Sequence, residues 1–156
     1  MKLDFKLIKR GPFSVCGYSA ETCLKTCGPD LHKLWNNFEV KKEKLFEIYG
    51  KREDFYGLMW KTTKESDYYY YLIGIEINNA AKIPEGAELK QIPPEEYAVA
   101  SVPPSVSAVD AWTDYYYKTL PEAGYEPNAG SGIDFEYYPL GGNKRYEIWT
   151  PVAKKV

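Results

Sequence analysis

One order of segments runs through this chain twice and restricts its fold more than any other feature: a proline-broken strand, an amphipathic helix, then two more strands. The first round opens with "LDFKLIKRGPFSVCGYSA" (3–20), a strand interrupted at Gly11-Pro12 and resumed through Val15. "CGPDLHKLWNNFEV" then starts a helix, with Pro29 in its first turn and Asp30 as the expected N-cap. Leu31, Leu34, Trp35 and Phe38 fall at i, i+3, i+4 and i+7, one apolar stripe. The spacing leaves the helix end open between Val40 and Tyr49. "DFYGLMW" (54–60) and "YYYYLIGIEI" (68–77) follow as strands joined by the polar connector "KTTKESD".

After the turn-rich linker "NNAAKIPEGAE" the order resumes. "LKQIPPEEYAVASVPP" (89–104) is a strand broken by prolines, and a helix is expected from about Ser105 to Leu120. Ser107 and Asp110 are spaced like a capping box, Val109, Trp112, Tyr116 and Leu120 form its apolar stripe, and Pro121 lies at its end. "IDFEYYPL" and "KRYEIWTPV" close the chain as a hairpin through Gly141-Gly142-Asn143. Ile8 to Val15 and Ile92 to Val99 keep one separation, and "LIGIEI" can be laid on "EIWTPV", matching Leu72 with Glu147 and Gly74 with Trp149. The expected fold is α+β, a single domain over 1–156 with one unit about 1–80 and a second about 88–156. Two tandem β-α-β-β units join edges into a curved antiparallel sheet, both main helices on one face, with a pocket between them at the pseudo-twofold seam.

Charge and composition narrow the function. A net charge of −2 and scattered lysines argue against a nucleic-acid surface. The start "MKLDFKLIKRGPF" is alternating and charged, unlike a signal peptide, and no window is apolar enough to span a membrane. Three cysteines (Cys16, Cys23, Cys27) fit a reduced, cytoplasmic setting. The chain is unusually aromatic, with 15 tyrosines, 4 tryptophans and 6 phenylalanines. Tyr and Trp are large apolar bodies with a polar tip, which suits a binding cavity as well as a core.

The residues give little to conventional catalysis. His32 is the only histidine; its spacing from Cys23 and Cys27 has no meaning for a nucleophilic pair, and three ligands without a CxxC do not make a metal site. "GSG" at 130–132 is a turn, and no phosphate loop occurs. No cofactor is called for. The feature that stands out is Glu147, in the middle of an aromatic and β-branched strand: alternation puts it on one face with Trp149, and Tyr146 with Ile148 on the other. Either Glu147 faces water or a carboxylate sits among rings, the costlier arrangement.

Seven phrases in order, "FSVCGYS", "LWNNF", "YYLIGIEI", "EEYAVASVP", "LPEAGYEP", "DFEYY" and "YEIWTPV", resemble the GyrI-like or AraC-type effector-binding domain across essentially the whole chain, most of all its standalone, integron-associated branch. The resemblance implies two β-α-β-β units enclosing a pocket for hydrophobic, often cationic, small molecules, with a buried glutamate on a late strand pairing the ligand's charge. The matching position here is Glu147. A lipophilic cation in an aromatic box would supply the partner such a carboxylate lacks, with cation–π attraction adding roughly 0.5–2 kcal/mol per ring.

Trp149 then follows Glu147. Trp60 shares a face with Tyr56 and Leu58, with core packing as its plain alternative; Tyr71 shares one with Tyr69, Ile73 and Ile75, and which pair of the four tyrosines 68–71 points inward stays open. Trp35 and Trp112 lie on the core faces of the two helices, where core and pocket wall coincide. The orientation of Glu136, Tyr137 and Tyr138 stays open, with Tyr137 a candidate. The expectation is a standalone receptor for hydrophobic cationic or aromatic small molecules. The alternatives are a hydrolase of reactive cyclopropane-containing compounds using a pocket carboxylate and a tyrosine, or a protein-interaction module of the gyrase-binding kind. A protein partner or homodimer is compatible with either, and direct contact with nucleic acid or membrane is not expected.

Overall fold

In the computed structural model, which describes residues 3–78, 82–141 and 144–156, the segment broken at Gly11-Pro12 is two strands, β1 (Phe5–Arg10) and β2 (Phe13–Cys23). Helix α1 (Cys27–Tyr49), β3 (Phe55–Trp60) and β4 (Tyr68–Ile77) complete the first unit. The second begins with β5 (Glu88–Ile92), β6 (Glu95–Val102) and α2 (Ala108–Asp114). A π-helical turn (Tyr115–Thr119) carries α2 into the short α3 (Leu120–Glu122). β7 (Tyr125–Glu126), β8 (Asp134–Tyr138), β9 (Tyr146–Pro151) and β10 (Ala153–Lys154) follow, β7 pairing with β10. Residues 79–81 of the linker and 142–143 of the expected hairpin turn lie outside the described residues.

The fold is α+β, as expected. Eight strands make one antiparallel sheet in the order β1-β6-β9-β8-β3-β4-β2-β5, with the units meeting at β8 and β3. The leading strands are exchanged: β1 pairs with β6 of the second unit and β5 with β2 of the first. Proline lacks the N–H a ladder needs, so at Gly11-Pro12 and Pro93-Pro94 the chain leaves one edge of the sheet for the other. The exchange is matched in register. Ile8 lies opposite Tyr97, two residues before Val99, and Ile92 opposite Phe13, two residues before Val15. In turn, Val15 faces Glu76 across β2 and β4, while Val99 faces Trp149 across β6 and β9. The correspondence of Gly74 with Trp149 therefore slips by two residues: Gly74 answers to Glu147, and Tyr56 and Tyr137, which pair with them, answer to one another.

Both helices cover one face of the sheet. α1 packs on Cys16, Tyr18, Ile73 and Ile75, and α2 on Ala98, Ala100, Val102 and Ile148. The other face is buried without a helix, because the sheet curls on itself. Phe13 of β2 and Phe135 of β8 meet at 5.5 Å between ring centroids although β4 and β3 lie between their strands. Val15, Leu58, Leu72, Val99 and Trp149 fill out that second core.

Helix α1 begins earlier than expected. Thr26, not Asp30, is its N-cap; Asp30 lies in the first turn, where its carboxylate accepts from Thr26 Oγ1 at 2.8 Å and Thr22 Oγ1 at 2.9 Å. A negative charge there still complements the helix dipole. The helix stops at Gly50, whose φ of +91° suits glycine. In α2, Ser107 caps as expected, accepting from the Asp110 amide at 3.2 Å. Val109 is exposed, however, and Ala111, Tyr115, Thr119 and Leu120 are the buried positions. Val109 precedes the π turn, in regular helix, and lies two positions before Ala111, which places it on nearly the opposite side of α2 from that buried position.

Candidate functional site

Strand β8, "DFEYY", has two buried faces and splits its side chains between them. Asp134, Glu136 and Tyr138 turn toward the helices, while Phe135 and Tyr137 turn to the second core. Glu136 lies at the seam between the units, paired with Gly57 of β3 on one side and Ile148 of β9 on the other. Because Gly57 has no side chain, Tyr71 of β4 lies across β3 and reaches Glu136: a Cβ at Gly57 would stand 2.1 Å from the Tyr71 hydroxyl oxygen.

The Glu136 carboxylate is 3% exposed and held by neutral donors. Tyr71 Oη donates to Oε1 at 2.5 Å, Tyr138 Oη to Oε1 at 2.6 Å, and Trp112 Nε1 to Oε2 at 2.8 Å. Hydrogen bonds to an ionised group are worth about 1.5–3 kcal/mol each, enough together to offset much of the several kcal/mol a buried ion costs. Burial, and after it the charge of Glu136, holds the Tyr71 and Tyr138 phenols well above the usual tyrosine range, so both stay donors. Rings surround the carboxylate: Trp35 of α1 meets Tyr138 edge-on at 5.2 Å, and Tyr138 stacks on Tyr146 at 5.2 Å. Tyr69 stands nearby, its phenol raised by burial, then by Cys27 and Glu136.

A second carboxylate shares the strand face. Asp134 is 8% exposed, accepts from Thr150 Oγ1 at 2.6 Å, and also accepts from Tyr116 Oη. Burial pushes it up to about 6 against the pull of hydrogen bonds from Thr150, Tyr116 and Asn128. Tyr116 in turn meets Trp112 edge-on at 5.8 Å.

Tyr71, Trp35 and Trp112, three of the residues expected from the sequence, thus gather around one carboxylate, but it is Glu136 and not Glu147. Tyr146 and Ile148 take the helix side of β9, which turns Glu147 and Trp149 to the opposite face. There Glu147 is half-buried and accepts from Trp149 Nε1 at 3.0 Å. Tyr137 lies on that face too, 4.9 Å from the Tyr56 ring and donating to Asp54 at 3.1 Å. Trp60 stacks on Tyr70 at 5.6 Å under the Lys90 ammonium, 4.2 Å from its ring. These four do not meet the helix-side box. Asp134, Tyr138 and Tyr116 were not singled out for it; alternation along "DFEYY" groups Asp134, Glu136 and Tyr138 once the face is known.

The two faces treat their carboxylates differently. On the second face Arg10 pairs with Glu76 at 2.8 Å, with its guanidinium 3.7 Å above the Phe13 ring. That pair and Lys42–Glu39 are the ion pairs among the described residues, so Glu136 has no cationic side chain beside it. Open clefts of about 340 Å³ beside Phe46 and Lys51, and about 530 Å³ beside Phe13 and Glu76, are not lined by Glu136. No cluster suited to a metal ion occurs among the described residues, and no helix there is long and apolar enough to cross a membrane.

Comparison with known proteins agrees with this architecture. The family described as integron-associated effector binding protein matches residues 6–152. The transcriptional regulator BrlR of Pseudomonas aeruginosa is 29% identical over 94% of the chain, which spans about half (54%) of that relative's length. Among solved structures, SAV2435 bound to tetraphenylphosphonium superposes with a TM-score of 0.71 at 17% identity, covering 96% of this chain and 94% of that one. An integron cassette protein from the mobile metagenome of Vibrio cholerae gives 0.71 at 16% identity, covering 97% and 98%.

Proposed function

The chain belongs to the integron-associated effector-binding protein family, and from that premise we propose that it is a receptor for hydrophobic organic cations, with Glu136 as the group that pairs their charge. One observation carries the reading: a carboxylate enclosed by rings at the seam of the two units and held by neutral donors alone. A cation arriving there gains an ion pair in a low-dielectric setting and ring faces on several sides. The neutral donors keep the charge tolerable until the cation comes. Trp112 and Trp35 are half-buried, so the box reaches the surface at these rings. Tetraphenylphosphonium bound to a protein of the same fold is a lipophilic cation of the class this box suits.

The role proposed for the late-strand glutamate thus passes from Glu147 to Glu136. Two donors on Oε1 and one on Oε2 leave little of Glu136 free to activate water, which favours pairing over hydrolysis. The test is tryptophan-fluorescence titration with tetraphenylphosphonium and the neutral triphenylphosphine oxide, on wild type, Glu136→Gln and Glu147→Gln. Cation binding lost only in Glu136→Gln supports the reading. Equal binding of both compounds by all three proteins defeats it.

A further inference from the structure

Trp112 and Tyr116 are one helical turn apart, a rise of about 6 Å. Glu136 and Asp134 are alternate residues of β8, separated by about 6.5–7 Å. The helix therefore stands over the strand with matched spacing: the Trp112 indole donates to Glu136 and the Tyr116 phenol to Asp134. The π turn spans Tyr115–Thr119, with Tyr115 and Thr119 buried and Tyr116 half-buried. Asp134 is fixed from the sheet side by Thr150, whose Oγ1 also accepts from the Asn128 amide at 2.9 Å.

A buried carboxylate in this position needs a reason, since it is penalised by burial and does not belong to the ring of donors around Glu136. We propose that Asp134 and Tyr116 are positioning residues, a latch that holds the α2 turn on β8 and so keeps the Trp112 indole on Glu136. The effect on ligand affinity rests on the receptor reading; the effect on Trp112 does not. Freed from the latch, Trp112 samples positions away from the carboxylate and the site loses definition.

The first measurement is the Trp112 indole Nε1–H signal of the unliganded protein by NMR, assigned with Trp112→Phe. Tyr116→Phe and Asp134→Asn are expected to shift and broaden it, while Tyr117→Phe, at a residue 77% exposed, leaves it in place. An unchanged indole signal in both latch variants, with the remaining spectrum native, overturns the proposal. Tetraphenylphosphonium affinity is expected to change at least about threefold in both latch variants. A wild type that does not bind tetraphenylphosphonium removes the receptor reading, and the indole signal still decides the latch.

Titration gives a second arm. The groups facing Asp134 are Tyr116, Thr150 and Asn128 as hydrogen-bond partners, with Glu95 as the charged neighbour and the Tyr97 phenol nearby. The wild-type indole signal should move with a midpoint near 6, where Asp134 changes charge, and Asp134→Asn should abolish that movement. Movement that persists in Asp134→Asn has another source and counts against the latch.

Discussion

The phenol of Tyr71 lies over the backbone of Gly57, so close that a methyl group at position 57 would stand 2.1 Å from its oxygen. This contact lets a side chain from β4 cross β3 and donate to Glu136 on β8. Gly57→Ala should therefore push Tyr71 off the carboxylate. Overpacking costs about 1–3 kcal/mol and an unmade buried bond to a charged group about as much again. Urea unfolding should show a loss of at least about 2 kcal/mol. Tyr71→Phe removes the bond without the clash, and the double variant should be less destabilised than the sum, because both changes remove one interaction. Strict additivity would mean that Gly57 serves some other contact.

The two glutamates of the closing hairpin separate the receptor reading cleanly. Glu136→Gln should weaken tetraphenylphosphonium by at least about tenfold, or about 1.4 kcal/mol, and leave triphenylphosphine oxide within about twofold. Glu147→Gln should leave both compounds unchanged, since its carboxylate is on the other face with Trp149. If Glu147→Gln alone abolishes cation binding, the site belongs to the second face.

Arg10 offers a test of how that second face is closed. Its guanidinium stacks 3.7 Å over Phe13 and pairs with Glu76, both partners being partly exposed. Arg10→Lys keeps the charge but not the planar stacking. It should cost about 0.5–1 kcal/mol, most of what Arg10→Met costs, with little dependence on salt. A loss confined to Arg10→Met and screened by salt would assign the contribution to charge instead.

Much of this was legible in the sequence, and what was not has one main physical origin. Helix and strand periods marked the elements, and the broken strands at Gly11-Pro12 and Pro93-Pro94 marked the crossings. Alternation correctly put Glu147 with Trp149 and left open which face that was. In most antiparallel sheets a polar face identifies the outside. Here the sheet curls, both faces are buried, and "DFEYY" and "YEIWT" carry rings on each side. Register locates Glu136 instead: where the first unit has Phe55, packed 5.3 Å from Phe38 in the α1 core, the second has a carboxylate. The π turn leaves no such mark, and Val109, in the first turn of α2, is exposed although its spacing fits the stripe of Trp112, Tyr116 and Leu120.

Asp134 should leave a signature in the dependence of stability on pH. Burial raises its folded value from 3.8 to about 6. Between those limits the folded protein holds the proton more tightly than the unfolded chain does, so the Asp134 contribution to stability falls as pH rises through that window. Below the window both states are protonated, and above it the penalty is complete and constant. A shift of this size corresponds to about 3 kcal/mol. Tyr116, raised by burial and by the Asp134 charge, titrates far above the window and does not confuse it. Stability measured by urea unfolding at pH 4, 5, 6 and 7 should therefore decline more steeply in wild type than in Asp134→Asn. The difference between the two proteins should level off above pH 6.5. Parallel profiles would mean that Asp134 keeps its ordinary affinity for the proton when buried, and the Thr150 and Tyr116 bonds would then outweigh its desolvation.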